Sequence, residues 1–164
     1  MVDRAAETGE DGGVVTTLLG RSYPAASDEW TNLQRAATDA DAETGAEQRA
    51  RRSARDRGRF TRNFIVQGTA AEWALAWLAE IRRGLVDLGA TDGPGTEPSG
   101  ATFAQVPHLA FFLHDEVILH VPQDLAEASA KVVQDAAARA SALLFGSFPL
   151  DFPLDLKISE TAGK

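Results

Sequence analysis

His114, Asp115 and Glu116 stand together between two apolar runs, in the stretch FLHDEVIL, with no glycine among them. The flanks read as strands, because aromatic and branched side chains alternate well on a half-buried pleated surface. A tight turn between strands is usually relieved by Asn-Gly or Asp-Gly, which accept positive φ cheaply. A turn built from His, Asp and Glu therefore points to side chains kept for their chemistry. A carboxylate held on a hairpin tip suits Mg²⁺, a hard cation that commonly takes one or two carboxylates besides substrate phosphates. The alternative is a solvated surface turn. His108, His114 and His120 recur every six residues, but that spacing gives no tight chelating pair and a hairpin would scatter them, which argues against zinc.

A second group of residues is basic. From Arg49 to Arg62 there are seven Arg and one Asp, a local net charge of +6 in a protein whose formal net charge is −8. Such an island draws a polyanion to one face while the acidic remainder repels it. On a continuous helix Arg52, Arg55, Arg59, Asn63 and Gln67 step by three or four and share a face. Arg would hold phosphates there, and the Asn and Gln amides could meet minor-groove acceptors. A solvated helix face is the alternative, although like charges without interleaved Glu repel one another. Gln67 to Trp73, QGTAAEW, reads as ordinary helix packing in which a Gly lets another backbone approach closely.

These groups need elements to position them. Residues 1–12 read as a polar helix ending at Gly12-Gly13, Val14 to Leu19 as a strand, and Ser27 or Asp28 as the cap of a helix beginning near Glu29. Residues 36–48 are acidic, small and nearly featureless. Helical signal returns at Arg49, and in Gln67 to Leu88 the residues Trp73, Trp77, Ile81, Leu85 and Leu88 form an apolar stripe. Gly89 stops that helix, and residues 90–106 read as a flexible loop by composition. Strands are expected at 108–113 and 117–121. A helix follows Pro122 with Leu125, Ala128, Val132, Ala136, Ala140 and Leu143 on its buried side, and residues 153–159 alternate as a last strand. The expected class is α+β, with a small antiparallel sheet covered by helices on one face.

Composition sets outer limits. The 164 residues have room for one domain with a hydrophobic core, and 44% apolar with 24% charged residues argues against disorder throughout. No cysteine is present, which excludes disulfides and thiolate metal sites. No apolar run approaches a membrane span, and the amino-terminal residues lack the apolar core of a signal peptide. A cytoplasmic protein without a membrane partner is expected.

In this order the pieces resemble the carboxy-terminal part of a family A DNA polymerase, the bacterial DNA polymerase I type. TLLGRSYP is similar to the strand and turn after that family's fingers, RFTRNFIVQGTAAEW to its R-x-x-x-N-x-x-x-Q-G-T-A-A-D segment, FFLHDEVILHVP to motif C, and FPLDLKIS to its last palm strand. The resemblance runs from about residue 13 to 159, with 36–48 as an acidic insertion. It implies a palm portion of an enzyme that extends a primer with dNTPs on a DNA template in replication or repair. It further implies a small antiparallel palm sheet, the motif C hairpin plus a carboxy-terminal strand, packed against helices. Asp115 would be the motif C ligand of a two-metal Mg²⁺ site. Glu116 would support the metals, His114 would lie near the primer terminus, and Arg59, Asn63 and Gln67 would contact primer and template.

The departures carry expectations too. No motif A aspartate and no fingers helix occur in these 164 residues, Glu72 replaces the family's Asp after T-A-A, and no proline lies between Asn63 and Gln67. The chain alone is therefore expected not to polymerise, and Phe111, Phe112 and Ile118 to be exposed and to promote self-association. The competing reading is a non-catalytic DNA-binding module built on the Arg-rich helix 49–67. A third is an acidic helical protein of unrelated role.

Overall fold

The computed structural model describes residues 2–39, 43–150 and 152–161. The chain is α+β, and its described residues divide into two compact units, Met1–Glu72 and Trp73–Lys164. Helix α3, Ala46–Leu88, runs through both. Its 43 residues hold no proline to interrupt the backbone ladder, which is why the Arg49–Gln67 stretch and the Trp stripe form one element.

In the first unit α1 (Val2–Glu10) is followed by a two-stranded antiparallel sheet of β1 (Val15–Thr16) and β2 (Ser22–Tyr23), then α2 (Asp28–Ala36). Ser27 caps α2 by accepting from the Trp30 N–H, as its residue type suggests. The strand expected over Val14 to Leu19 is only two residues long. Thr17 N donates to Arg21 O and Gly20 N to Thr17 O, so the chain is already turning there. Ala5, Val15 and Ile65 make a small core flanked by Tyr23 and Phe64. Helices α1 and α3 meet where Gly9 faces Thr61; a Cβ on Gly9 would collide with that hydroxyl. Thr61, fully buried, donates to Ala5 O at 2.8 Å. Residues 40–42 of the acidic stretch 36–48 lie outside the described residues, as do Met1, Asp151 and 162–164.

In the second unit Trp73, Trp77, Ile81 and Leu85 of α3 are buried against Val133, Ala136, Ala137 and Ala140 of α5 (Ala126–Phe145). The stripe read from the sequence is thus the core. Gly89 ends α3 at φ +75°. Residues 90–106, expected to be a loop throughout, contain a 3₁₀ turn at Glu97–Ser99 and a short helix α4 (Gly100–Phe103). Thr91 N donates to Gln105 O and Thr96 N to Ala104 O, which ties the two limbs of this segment together.

β3 (His108–Leu113) and β4 (Glu116–His120) form the expected hairpin, whose Leu109, Val117 and Leu119 pack on the core. Two expectations are corrected. Residues 153–159 join no ladder, so the hairpin is a sheet of two strands without a carboxy-terminal third. Phe152, Leu154 and Leu156 do alternate inward onto the core, which is the source of their sequence pattern. The buried side of α5 is also rotated from the expected one. Ser129, Val133, Ala136, Ala137 and Ala140 are buried, while Leu143 is 72% exposed.

Candidate nucleic-acid interface and hairpin tip

The inner face of the first half of α3 is fixed by small and apolar groups: Ala50, Gly58, Thr61 and Ile65 are buried. With that side turned inward, helical periodicity sends Arg52, Arg55, Arg59, Asn63 and Gln67 outward; Arg55 is among those the burial pattern leaves open to solvent, as are Arg52, Arg59, Asn63 and Gln67. The structure thus brings the five predicted residues onto one solvent-facing surface. Arg62, outside the row read from spacing, is exposed as well. Its signal was its place seven residues after Arg55, two turns along the same helix.

The seven arginines do not act alike. Arg57 turns inward. Its Nη2 donates to Pro24 O at 2.6 Å, Gly13 O at 3.1 Å and Gly12 O at 3.5 Å, and its guanidinium lies 5.3 Å from the Tyr23 ring centroid and 5.9 Å from that of Trp30. It fastens α3 to the backbone at the open end of the β1–β2 hairpin, just before β1 and just after β2. Arg49 pairs with Glu43, Arg51 with Glu47 and Arg59 with Asp56. Among the described residues Arg52, Arg55 and Arg62 have no carboxylate at ion-pair distance.

The QGTAAEW segment carries a buried carboxylate, Glu72, just before its last residue. Glu72 accepts from the Thr17 hydroxyl and, at 3.4 Å, from Leu19 N, while Thr17 Oγ1 accepts from Arg21 N at 3.1 Å. Gly68 lies against the Thr17 methyl group. Glu72 therefore closes the turn after β1 and does not face solvent.

At the hairpin tip Leu113 pairs with Glu116, so the turn itself is His114-Asp115. His114 has φ +55°, and it is the one non-glycine residue at positive φ among those described. An L-residue there is strained, and such strain gathers at sites where a side chain is held for a purpose. A register shift between Leu109 and Phe111 bends β3 below the tip. His114, Asp115 and Glu116 are all exposed. His108 and His120 face each other across the ladder with ring centroids 5.7 Å apart, but His114 lies at the far end. Among the described residues no group of three His, Cys, Asp or Glu comes together to hold a metal.

The tip stands on an apolar hairpin. Phe111, Phe112, Leu113 and Ile118 are exposed, Phe111 by 48% and Ile118 by 37%. Leu75, Leu78 and Arg82 of α3 form an open groove with Leu109, Phe111 and Phe112. Among the described residues no helix is long and apolar enough to cross a membrane.

Over 157 residues the chain is 29% identical to the thermostable DNA polymerase I of Thermus filiformis. No protein-family model matches the chain, and no solved structure matches it. The alignment covers 96% of this chain and 14% of that protein, so the chain is similar, along nearly its whole length, to a limited portion of a DNA polymerase I.

Proposed function

We propose that the chain is part of the palm of a DNA polymerase of the bacterial DNA polymerase I type, and that the outward face of α3 holds primer-template DNA. The observation that carries this reading is the row Arg52, Arg55, Arg59, Asn63 and Gln67, turned to solvent on one unbroken helix. Guanidinium groups at the row's start suit phosphates, and the amides at its end suit groove acceptors. Binding of a short fluorescent primer-template duplex, followed by anisotropy across a salt series, tests it. Affinity is expected to fall steeply with salt, and Arg52→Ala with Arg55→Ala to flatten the log–log slope by about 0.9 for each phosphate no longer neutralised. Undetectable or salt-insensitive binding overturns the reading.

Asp115 is proposed as a Mg²⁺ ligand, with Glu116 beside it and His114 near the primer terminus. Asp115 and Glu116 fit a single cation whose other ligands are water and phosphate oxygens; bound there, the ion would neutralise phosphate charge. They do not fit a two-metal centre, because among the described residues no third ligating side chain joins them. No step of nucleotidyl transfer is therefore assigned to these residues alone, and dNTP binding belongs to the complete enzyme. The 164 residues by themselves are expected to give no template-directed incorporation in a primer-extension assay with Mg²⁺.

A second reading, a DNA-binding module without chemistry, is favoured by one contrast. The basic face is complete within the chain, whereas the acidic tip holds one adjacent carboxylate pair. Mg²⁺-independent DNA binding that survives Asp115→Asn supports it. The exposed hairpin is further proposed to drive self-association, which sedimentation at rising concentration reads directly.

A further inference from the structure

Two ion pairs gather at the start of α3, one from Glu43 just before the helix and one from Glu47 in its first turn. Glu43 accepts from Arg49 Nη2 at 3.2 Å, and Glu47 pairs with Arg51 one turn along the helix. All four side chains are more than half exposed. Further along α3 the pattern changes: Arg52, Arg55 and Arg62 have no carboxylate at ion-pair distance among the described residues, and Arg59 has only Asp56 at 3.4 Å. The arginines at the amino-terminal end of the basic helix are therefore paired, whereas Arg52, Arg55 and Arg62 beyond them stay open among the described residues.

We propose that Glu43 and Glu47 are an autoinhibitory contact, a built-in competitor that occupies Arg49 and Arg51 and that DNA phosphates must displace. This regulation rests on the reading of the same face as a DNA surface. A carboxylate and a phosphate oxygen make the same charge-assisted bonds to a guanidinium, so either satisfies Arg49 and Arg51. Exposed pairs exchange readily, which makes the competition graded and not a block. The two glutamates confine tight binding to the stretch from Arg52 to Gln67 and weaken indiscriminate binding along the rest of the helix. Because salt screens the ion pairs and the DNA contacts alike, the masking is strongest at low ionic strength.

Duplex binding by the full chain tests this. Glu43→Gln with Glu47→Gln is expected to tighten binding about two- to tenfold at low salt, the scale set by two exposed ion pairs, with the gain shrinking as salt rises. Adding Arg49→Ala and Arg51→Ala should cancel the gain. A control pair, Asp28→Asn with Glu29→Gln, removes the same charge from the start of α2, where among the described residues no arginine is paired, and should gain less. Circular dichroism of each variant reports whether α3 is retained. If the control gains as much, or if the glutamate pair gains nothing while Arg52→Ala with Arg55→Ala still weakens binding, the competitor is refuted and the DNA surface stands. If the Arg52 and Arg55 substitutions leave binding unchanged, the surface fails and the competitor with it.

Discussion

The two units are held by different physics. In Trp73–Lys164 large side chains of α3 lie on small ones of α5: Trp77, Ile81 and Leu85 against Ala136, Ala137, Ala140 and Val133. Its polar atoms serve that packing, Trp77 Nε1 donating to Val133 O at 3.1 Å and Trp73 Nε1 to Ser141 Oγ at 3.0 Å. In Met1–Glu72 the apolar core is slight, and polar bonds take its place: the buried bonds of Thr61 to Ala5 O and Thr17 to Glu72, and the half-buried Arg57 to three backbone carbonyls. One helix thus offers two kinds of surface. Where α3 meets only a small apolar core, charge-assisted bonds help to fix it, and one guanidinium of the basic island is used internally.

Three substitutions put that contrast at risk. Trp77→Ala has the largest expected effect: removal of an almost fully buried aromatic should destabilise the second unit by about 3–5 kcal/mol in urea unfolding. A cost below that of a surface change would mean the apolar core is not what holds that unit. Arg57→Met keeps the stem and removes the charge-assisted bonds, at about 1.5–3 kcal/mol. Its effect should appear as faster amide exchange around residues 12–24, with protection between Trp73 and Leu85 retained. Leu143→Ser is the smallest. At 72% exposure it should change stability by no more than about 0.5 kcal/mol, whereas a drop of several kcal/mol would restore the buried side that periodicity assigned to α5.

Much of the candidate interface was legible in the sequence because a helix translates spacing directly into direction. Arg52, Arg55, Arg59, Asn63 and Gln67 share a face whatever the helix packs against, so their common outward aspect needed only an inner face elsewhere. Arg57 shows the limit. Its type and neighbours resemble those of the other six arginines, and its inward turn depends on carbonyls of Gly12, Gly13 and Pro24, more than thirty residues away. The hairpin tip was likewise legible as a turn between apolar runs that calls for positive φ, but which of its residues takes the left-handed backbone was settled only in the folded hairpin, at His114.

Residue order alone dictates the local elements: the Trp stripe of α3, the Ser27 cap, the Gly89 stop and the hairpin around Asp115. These follow from propensity, capping and period, which act over a few residues. Which partners those elements find is settled in three dimensions. Alternation in Phe152, Leu154 and Leu156 states which side meets a core and is silent on whether a neighbouring strand supplies hydrogen bonds, so no third strand formed. The alanine-rich α5 is weakly polarised around its circumference, and packing against α3 selected its buried face. Local pattern fixes direction along one element, and distant contacts choose what lies in that direction.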